Sequence, residues 1–302
     1  MNTDSSGRLL HLGALRFTGP DSSSFLQGQV STDTRRLAEN QCLLAAYSSP
    51  QGRVLAIMHL LPHSSGIIAL LPRELVLPTL EALRKFVLRA KVKIEDAGDS
   101  IAVAGLYGAD RLTRAVIGVP QSSGGYTESD GIGIAEVNRD PGRYWAIGAA
   151  EKLAQHGLAG DILEAHRYEQ AWRLADIRAG IPQIYLPTRA AFVAQMLNLD
   201  RLGGISFSKG CYTGQEIIAR TQHLGRIKRR LYRLELPRGA WRIGQPLRLS
   251  DGRTGRLVEV IETLDGFEAL AVLNVQAESV DGGETSAGAV VNAVPLSLPY
   301  EL

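Results

Sequence analysis

Only two cysteines, Cys42 and Cys211, occur among 302 residues. Two thiols are too few for a disulfide framework at this length, or for the repeated Cys/His spacing of a structural zinc site. A reducing compartment is therefore the expected setting. The six histidines, His11, His59, His63, His156, His166 and His223, show no metal-ligand spacing. An excess of one charge is also lacking: 33 Lys and Arg against 31 Asp and Glu leave +2, which gives no whole-molecule pull toward nucleic acid or membrane. Any basic partner surface must be local. No apolar run approaches the roughly 18 residues that span a bilayer, and Met1–Gly7 lacks a basic segment followed by an apolar stretch. The expectation is a soluble cytoplasmic protein with no membrane partner.

What is present is core material. Hydrophobic residues make up 45% of the chain, enough to bury the interiors of two or three compact units. Leu9–Leu12 and Ala14–Phe17 read as short strands around Gly13, and Gly19-Pro20-Asp21 as a turn into a helix from Ser22 to Leu26. The apolar runs Arg53–Leu61 and Gly66–Leu71 predict a hairpin. Pro78 is expected to open a helix reaching Ala90, with Leu80, Leu83, Phe86 and Val87 at helical spacing. Ile101–Gly108 predicts a strand, Gln121–Gly125 a loop, and Asp161–Arg173 a second long helix. After Arg230 short strands alternate with Gly239, Gly244, Pro246, Asp251-Gly252, Gly255 and Asp265-Gly266, the texture of a small β-barrel. The mixed order before residue 230 argues for α+β rather than a regular βαβ series.

Unusual residues are densest from Gly203 to Arg230. Gly203–Phe207 reads as a turn and short strand, Lys209-Gly210 as a tight loop, and Gln215–Arg220 as the start of a helix. Cys211 would then lie near a helix N-terminus and close to Lys209, two features that lower a thiol pKa. Against this stands the ordinary role of a cysteine as a small buried hydrophobe. Gln195 and Asn198 offer paired donors and acceptors for a heterocycle edge beside an apolar wall of Phe192 and Met196, or equally simple loop caps. Arg226, Lys228, Arg229, Arg230 and Arg233 form the one local basic run, which strand alternation would divide between two faces.

Lys209-Gly210-Cys211-Tyr212-Thr213-Gly214-Gln215-Glu216 resembles the signature octapeptide of the YgfZ family. The resemblance continues through Ala219-Arg220-Thr221, Leu224-Gly225 and Lys228-Arg229. Upstream it takes in Thr188, Phe192, Gln195, Asn198-Leu199 and Gly203–Phe207, and at the N-terminus Phe25–Asp33. It implies an α+β, aminomethyltransferase-like multidomain fold with a C-terminal small antiparallel β-barrel. Its parts would be 1–98 and 99–228, able to interleave, and a barrel over 229–302. It also implies tetrahydrofolate or a derivative in a central cavity, and iron–sulfur enzymes or their assembly machinery as partners, with an indirect link to tRNA through tRNA-modifying enzymes. On this reading Cys211 and Lys209 carry the chemistry, while Asp33, Arg178, Gln195, Asn198, Tyr212, Gln215 and Glu216 hold the folate.

Two departures bear on mechanism. Folate-dependent aminomethyltransferases carry a carboxylate pair after the glycine matching Gly52, where this chain has Arg53-Val54-Leu55-Ala56-Ile57. They also place a glutamate before an Ala-Gly pair, where Arg178 stands here; a guanidinium has only donors and cannot accept from pterin N–H groups. These departures favour an accessory factor over a one-carbon transferase or demethylase. An RNA-binding module, the third alternative, rests on the basic run alone.

Overall fold

Apolar runs of strand length within residues 12–72 build most of the first sheet. The computed structural model describes residues 6–110, 112, 118–138, 142–223, 225–276 and 290–302. The opening segment Met1–Ser5 and Leu224 of the family match lie outside the described residues. Strands β1 (Ser6–Arg8), β2 (Leu12–Thr18), β3 (Leu43–Ser48), β4 (Val54–His63), β5 (Gly66–Pro72) and β6 (Lys93–Asp96) come first. Five of them pair antiparallel in the order β3-β4-β5-β2-β6. The β4–β5 hairpin forms as its apolar runs predict, with Pro62 and His63 still in strand.

β1 leaves this sheet and pairs with β7 (Ala102–Tyr107). With β8 (Tyr126–Ser129), β9 (Ile132–Asn138) and β10 (Arg143–Gly148) they form a second sheet, ordered β1-β7-β10-β9-β8. Its inner face meets the first sheet through a shared core that includes Leu61, Leu70, Tyr126, Trp145 and Ile147. On β4 that inward position is shared, two residues earlier, by His59, because side chains alternate faces.

The helices are α1 (Ser22–Gln27), α2 (Arg73–Arg84), α3 (Ala150–Gln155), α4 (Ala165–Ala179) and α5 (Gln215–His223), of which α2 packs on the first sheet and α3 on the second. Pro78 lies inside α2 rather than opening it. The helix starts at Arg73 because Leu75, Val76, Thr79, Leu80 and Leu83 give it a buried face, which outweighs the one backbone bond lost to proline. It also stops at Arg84 rather than reaching Ala90. The second long helix runs six residues beyond the expected end, to a left-handed C-cap at Gly180. Gly203–Phe207 forms the expected turn but no strand.

The C-terminal sheet contains β11 (Arg229–Leu236), β12 (Pro246–Leu249), β13 (Thr254–Glu262), β14 (Phe267–Asn274), β15 (Val290–Val291) and β16 (Val294–Leu296), in the order β15-β12-β13-β14-β11-β16. It curls into a half-barrel around Leu234, Leu249, Leu257 and Leu273. Every pairing is antiparallel except β12 with β15, which is parallel. α4 joins this sheet to the rest: Arg173 pairs with Glu259 at 2.7 Å and Arg178 with Glu268 at 2.6 Å. The last residues fold back onto the end of the same helix. Tyr300 donates to the Gly180 carbonyl at 2.7 Å, and a Cβ at Gly180 would meet Leu298 and Tyr300 at 2.7 Å. Among the described residues, no helix is long and apolar enough to cross a membrane.

Candidate functional site

The octapeptide is a strap tied across the loop that follows α1. Lys209 is buried, and its ammonium donates at 2.7 Å to each of the Gln27, Val30 and Thr32 carbonyls. An ammonium has three N–H groups, so all are committed to the loop. Burial pushes its pKa down to about 8. The same ammonium stands 4.9 Å from the centre of the buried Tyr212 ring, whose phenol burial pushes up to about 12. Thr213 N–H donates to Gly28 O at 3.2 Å, and Ser206 N–H to Ser31 O at 2.9 Å. Gly214, at φ +81, and Gly52, at φ +70, let strap and β3–β4 turn touch: a Cβ on Gly214 would sit 2.6 Å from the Ser49 carbonyl.

Cys211 stands exposed at the crest of this strap. The helix expected to approach it, α5, begins four residues later at Gln215, and Lys209 points its charge at carbonyls. Gln215 accepts from Tyr212 N–H at 3.3 Å, while Glu216 is exposed in the first turn of α5. Asp33 caps the 3-10 turn Thr34–Glu39; its hydrogen bonds from Arg35 hold its carboxyl well below the usual range. Asp33 also accepts from Gln27 at 3.1 Å. The structure therefore gathers Asp33, Lys209, Cys211, Tyr212 and Gln215 around one loop.

Three further predicted residues, Gln195, Asn198 and Arg178, lie apart from that loop. Gln195 and Asn198 are fully buried in the core. Gln195 donates to the Ile218 carbonyl at 2.7 Å and Asn198 to the Leu231 carbonyl at 2.9 Å, which ties α5 and β11 to the 3-10 turn Ala194–Leu197. Arg178 is paired to Glu268 on β14, which also holds Arg233. Asp176, the acid nearest Arg178 in sequence, is paired at 2.7 Å with the buried Arg143.

Two chambers adjoin along shared wall residues. The outer one, about 800 Å³, is lined by Tyr107, Leu174, Arg178 and Pro299. The inner one, about 270 Å³, is lined by Cys42, His59, Glu136 and Trp145. Val137, Ile181 and Leu202 border both. Burial lowers the His59 pKa to about 4 and raises that of Cys42 to about 12, so both are neutral at pH 7. The His59 ring meets Trp145 edge-on at 4.6 Å. Glu136, also buried, accepts from Gly124 N–H at 2.8 Å. Sequence reasoning missed these residues, and Cys211 lines neither chamber. A polar residue at an inward position of the apolar run Val54–Leu61 was the available signal for His59.

Another concavity, about 990 Å³, lies elsewhere, between the β4–β5 turn and β8. It holds none of the predicted residues, and its polar groups largely engage one another: Ser65 Oγ with His63 Nδ1 at 2.8 Å, Tyr126 to Glu128 at 3.1 Å. The basic run divides between buried and exposed positions, though not by simple alternation, since Arg226 and Lys228 precede the start of β11 at Arg229. Arg230 is buried against Asp200 and Arg233 holds Glu268, while Arg226, Lys228 and Arg229 are exposed. Among the described residues, no three His, Cys, Asp or Glu side chains group as metal ligands.

Comparison with known proteins ties this geometry to a lineage, although no family model matches the chain. The glycine cleavage system aminomethyltransferase T of Bartonella henselae superposes with a TM-score of 0.58 at 14% identity, covering 90% of this chain and 78% of that one. At such identity the likeness establishes the fold alone. A protein of Hamiltonella defensa named tRNA-modifying protein YgfZ is 31% identical over 285 residues, 87% of this chain and 81% of its own length. A Colwellia psychrerythraea protein of the same name is 33% identical over 227 residues, 74% of this chain and 69% of its own. An aminomethyltransferase-like fold carrying the octapeptide strap, with relatives at this identity along most of its length, belongs to the YgfZ family.

Proposed function

We propose that the chain is a cytoplasmic tetrahydrofolate-binding accessory factor that supports iron–sulfur enzymes, tRNA-modifying ones among them, through the thiol of Cys211. The observation that carries this reading is the exposure of Cys211 within an octapeptide otherwise committed to holding a loop. No hydrogen bond among the described residues engages its sulfur, so packing does not explain why a cysteine stands there. The paired chambers support the folate part: apolar walls interrupted by polar groups are what a planar heterocycle with a charged tail requires. Arg178, at the outer chamber, is a cation suited to the tail's carboxylates. The relatives' name supports the link to tRNA modification.

The transferase alternative lacks its acid. At the matching position Arg53 instead donates to the Ala191 carbonyl at 3.0 Å, and Asp176 is held by Arg143.

The test is complementation of cells lacking the native protein, read as activity of their iron–sulfur enzymes. Cys211→Ser should fold with an unchanged thermal midpoint and fail to restore that activity. Full rescue by the serine variant would return Cys211 to a packing role. Calorimetric titration with tetrahydrofolate tests the ligand separately.

A further inference from the structure

Between α2 and β6 the chain makes an irregular loop over residues 85–92. Its smaller hydrophobics, Val87, Ala90 and Val92, pack against the core of the first sheet. Its two largest do not: Leu88 is 86% exposed and Phe86 43%. Since burial favours the larger apolar surface, this loop displays the side chains that packing would hide first. It is also tied down. The Arg84 guanidinium donates to Ile94 O at 3.2 Å and closes the two ends. Asp21 accepts from Lys91 N–H at 2.6 Å and returns its own N–H to Lys91 O. A Cβ on Gly19, at φ +110, would lie 2.2 Å from that Lys91 carbonyl, so only glycine permits the approach.

Arg84, Lys85, Arg89, Lys91 and Lys93 stand exposed along the same loop and its ends. Interleaved with apolar residues, they do not read as a run in sequence; closure of the loop gathers them. Lys93 is paired with Glu95, which also holds Arg16. Lys85, Arg89 and the Lys91 ammonium have no ion-pair partner among the described residues. The neighbouring acids are Glu81, exposed one turn back on α2, and Asp21, which bonds the Lys91 backbone. Unpaired cations around displayed apolar side chains make a surface complementary to a polyanion that also offers apolar faces.

We propose that residues 84–93 are a contact site for single-stranded RNA, with Lys85, Arg89 and Lys91 on backbone phosphates and Phe86 and Leu88 against an unstacked base. Cations that track the backbone beside a ring on which a base stacks are the working parts of such sites. A duplex keeps its bases stacked and would leave Phe86 and Leu88 in water. An anionic bilayer would take the same charges, but two side chains bury less than the single acyl chain that binds membranes only marginally. A ring about half covered by its own protein suits stacking better than insertion. The proposal is independent of folate and of Cys211, and gives the link to tRNA modification a point of direct contact.

The experiment is fluorescence anisotropy of the full chain with a labelled single-stranded RNA of mixed sequence and with the matching duplex, over a salt series. The wild type should prefer the single strand, with a log–log salt slope of about −2 for three phosphates. Lys85→Glu with Arg89→Glu should weaken binding about tenfold or more and flatten that slope. Phe86→Ala with Leu88→Ala should weaken it about tenfold and leave the slope unchanged. Arg226→Glu with Lys228→Glu, at the other exposed cations, should have little effect. Photocrosslinking of thiouridine-substituted RNA to the wild type reads the same site without a variant, and adducts should map to the peptide containing residues 84–93. No binding by the wild type, equal affinity for the duplex, or crosslinks and losses confined to Arg226–Arg229 would each overturn the proposal. Sedimentation with phosphatidylglycerol vesicles in the absence of RNA binding would overturn it in favour of a membrane surface.

Discussion

The octapeptide strap and the inner chamber use polar groups in opposite ways. In the strap each strong donor has an assigned acceptor within the fold: Lys209 holds three carbonyls, Thr213 a fourth, and Gly214 clears the way for Ser49. In the chamber the His59 ring and the Trp145 indole N–H lack protein partners among the described residues. The segment with the stronger sequence signature is thus largely scaffold, with one side chain, Cys211, released from that duty. The segment with the weaker signature leaves the His59 ring and the Trp145 N–H without such assignments.

If the chamber is a binding seat and not a complete reaction centre, aminomethyl transfer should be slow even with the carrier protein supplied. A missing general base typically costs about 10²–10⁴ in rate. Methylene-tetrahydrofolate formation at ordinary enzyme rates, abolished by Asp33→Asn or Asp176→Asn, would erase the distinction by revealing a relocated acid.

The next effect is on stability. Lys209→Met should destabilise the fold by about 3 kcal/mol or more in urea unfolding, because three buried carbonyls lose their donor. His59→Phe should change stability by less than about 1 kcal/mol, since it removes a group that bonds nothing in the protein. Equal losses would show that strap and chamber do not differ in the way described.

A pH series sharpens the same contrast. With a native pKa near 4 against 6.5 unfolded, His59 binds a proton in the unfolded state first. Stability should therefore fall as pH drops from 6.5 to 4, by about 2–3 kcal/mol. The part due to His59 is the difference between wild type and His59→Phe at pH 7, 5 and 4; parallel curves would contradict a neutral buried imidazole.

The smallest effect concerns the two thiols. Cys211→Ser should move stability by no more than about 0.5 kcal/mol, as surface changes do. Brief treatment with iodoacetamide near neutral pH should label Cys211 and spare Cys42, whose thiol burial pushes to about 12. Peptide mapping that finds Cys42 labelled first would reverse that assignment.

Much of this was legible in the residues, and the remainder has physical reasons. The apolar runs Arg53–Leu61 and Gly66–Leu71 predicted the hairpin, and glycine-punctuated strands after Arg230 predicted the curled sheet. Pro78 misled because a local preference was read without the buried face that starts α2 earlier. Gln195 and Asn198 drew notice as polar residues in a family-like stretch. Their amides instead satisfy carbonyls of α5 and β11, long-range pairings that spacing does not encode. His59 and Glu136 line one chamber only because two sheets pack face to face, and the one local signal was a polar His59 within the apolar run Val54–Leu61.

The fold-back of Leu298–Tyr300 onto Gly180 has a consequence for the order of events during synthesis. Pro299 borders the outer chamber, and its neighbour Tyr300 docks on a helix end 120 positions earlier in the chain. That part of the chamber wall is therefore incomplete until Pro299 and Tyr300 have left the ribosome. A nascent chain that has already folded its first two sheets still lacks it. Closing of this wall is thereby coupled to the synthesis of Leu298–Tyr300 and not to the folding of the sheets that form the rest of it.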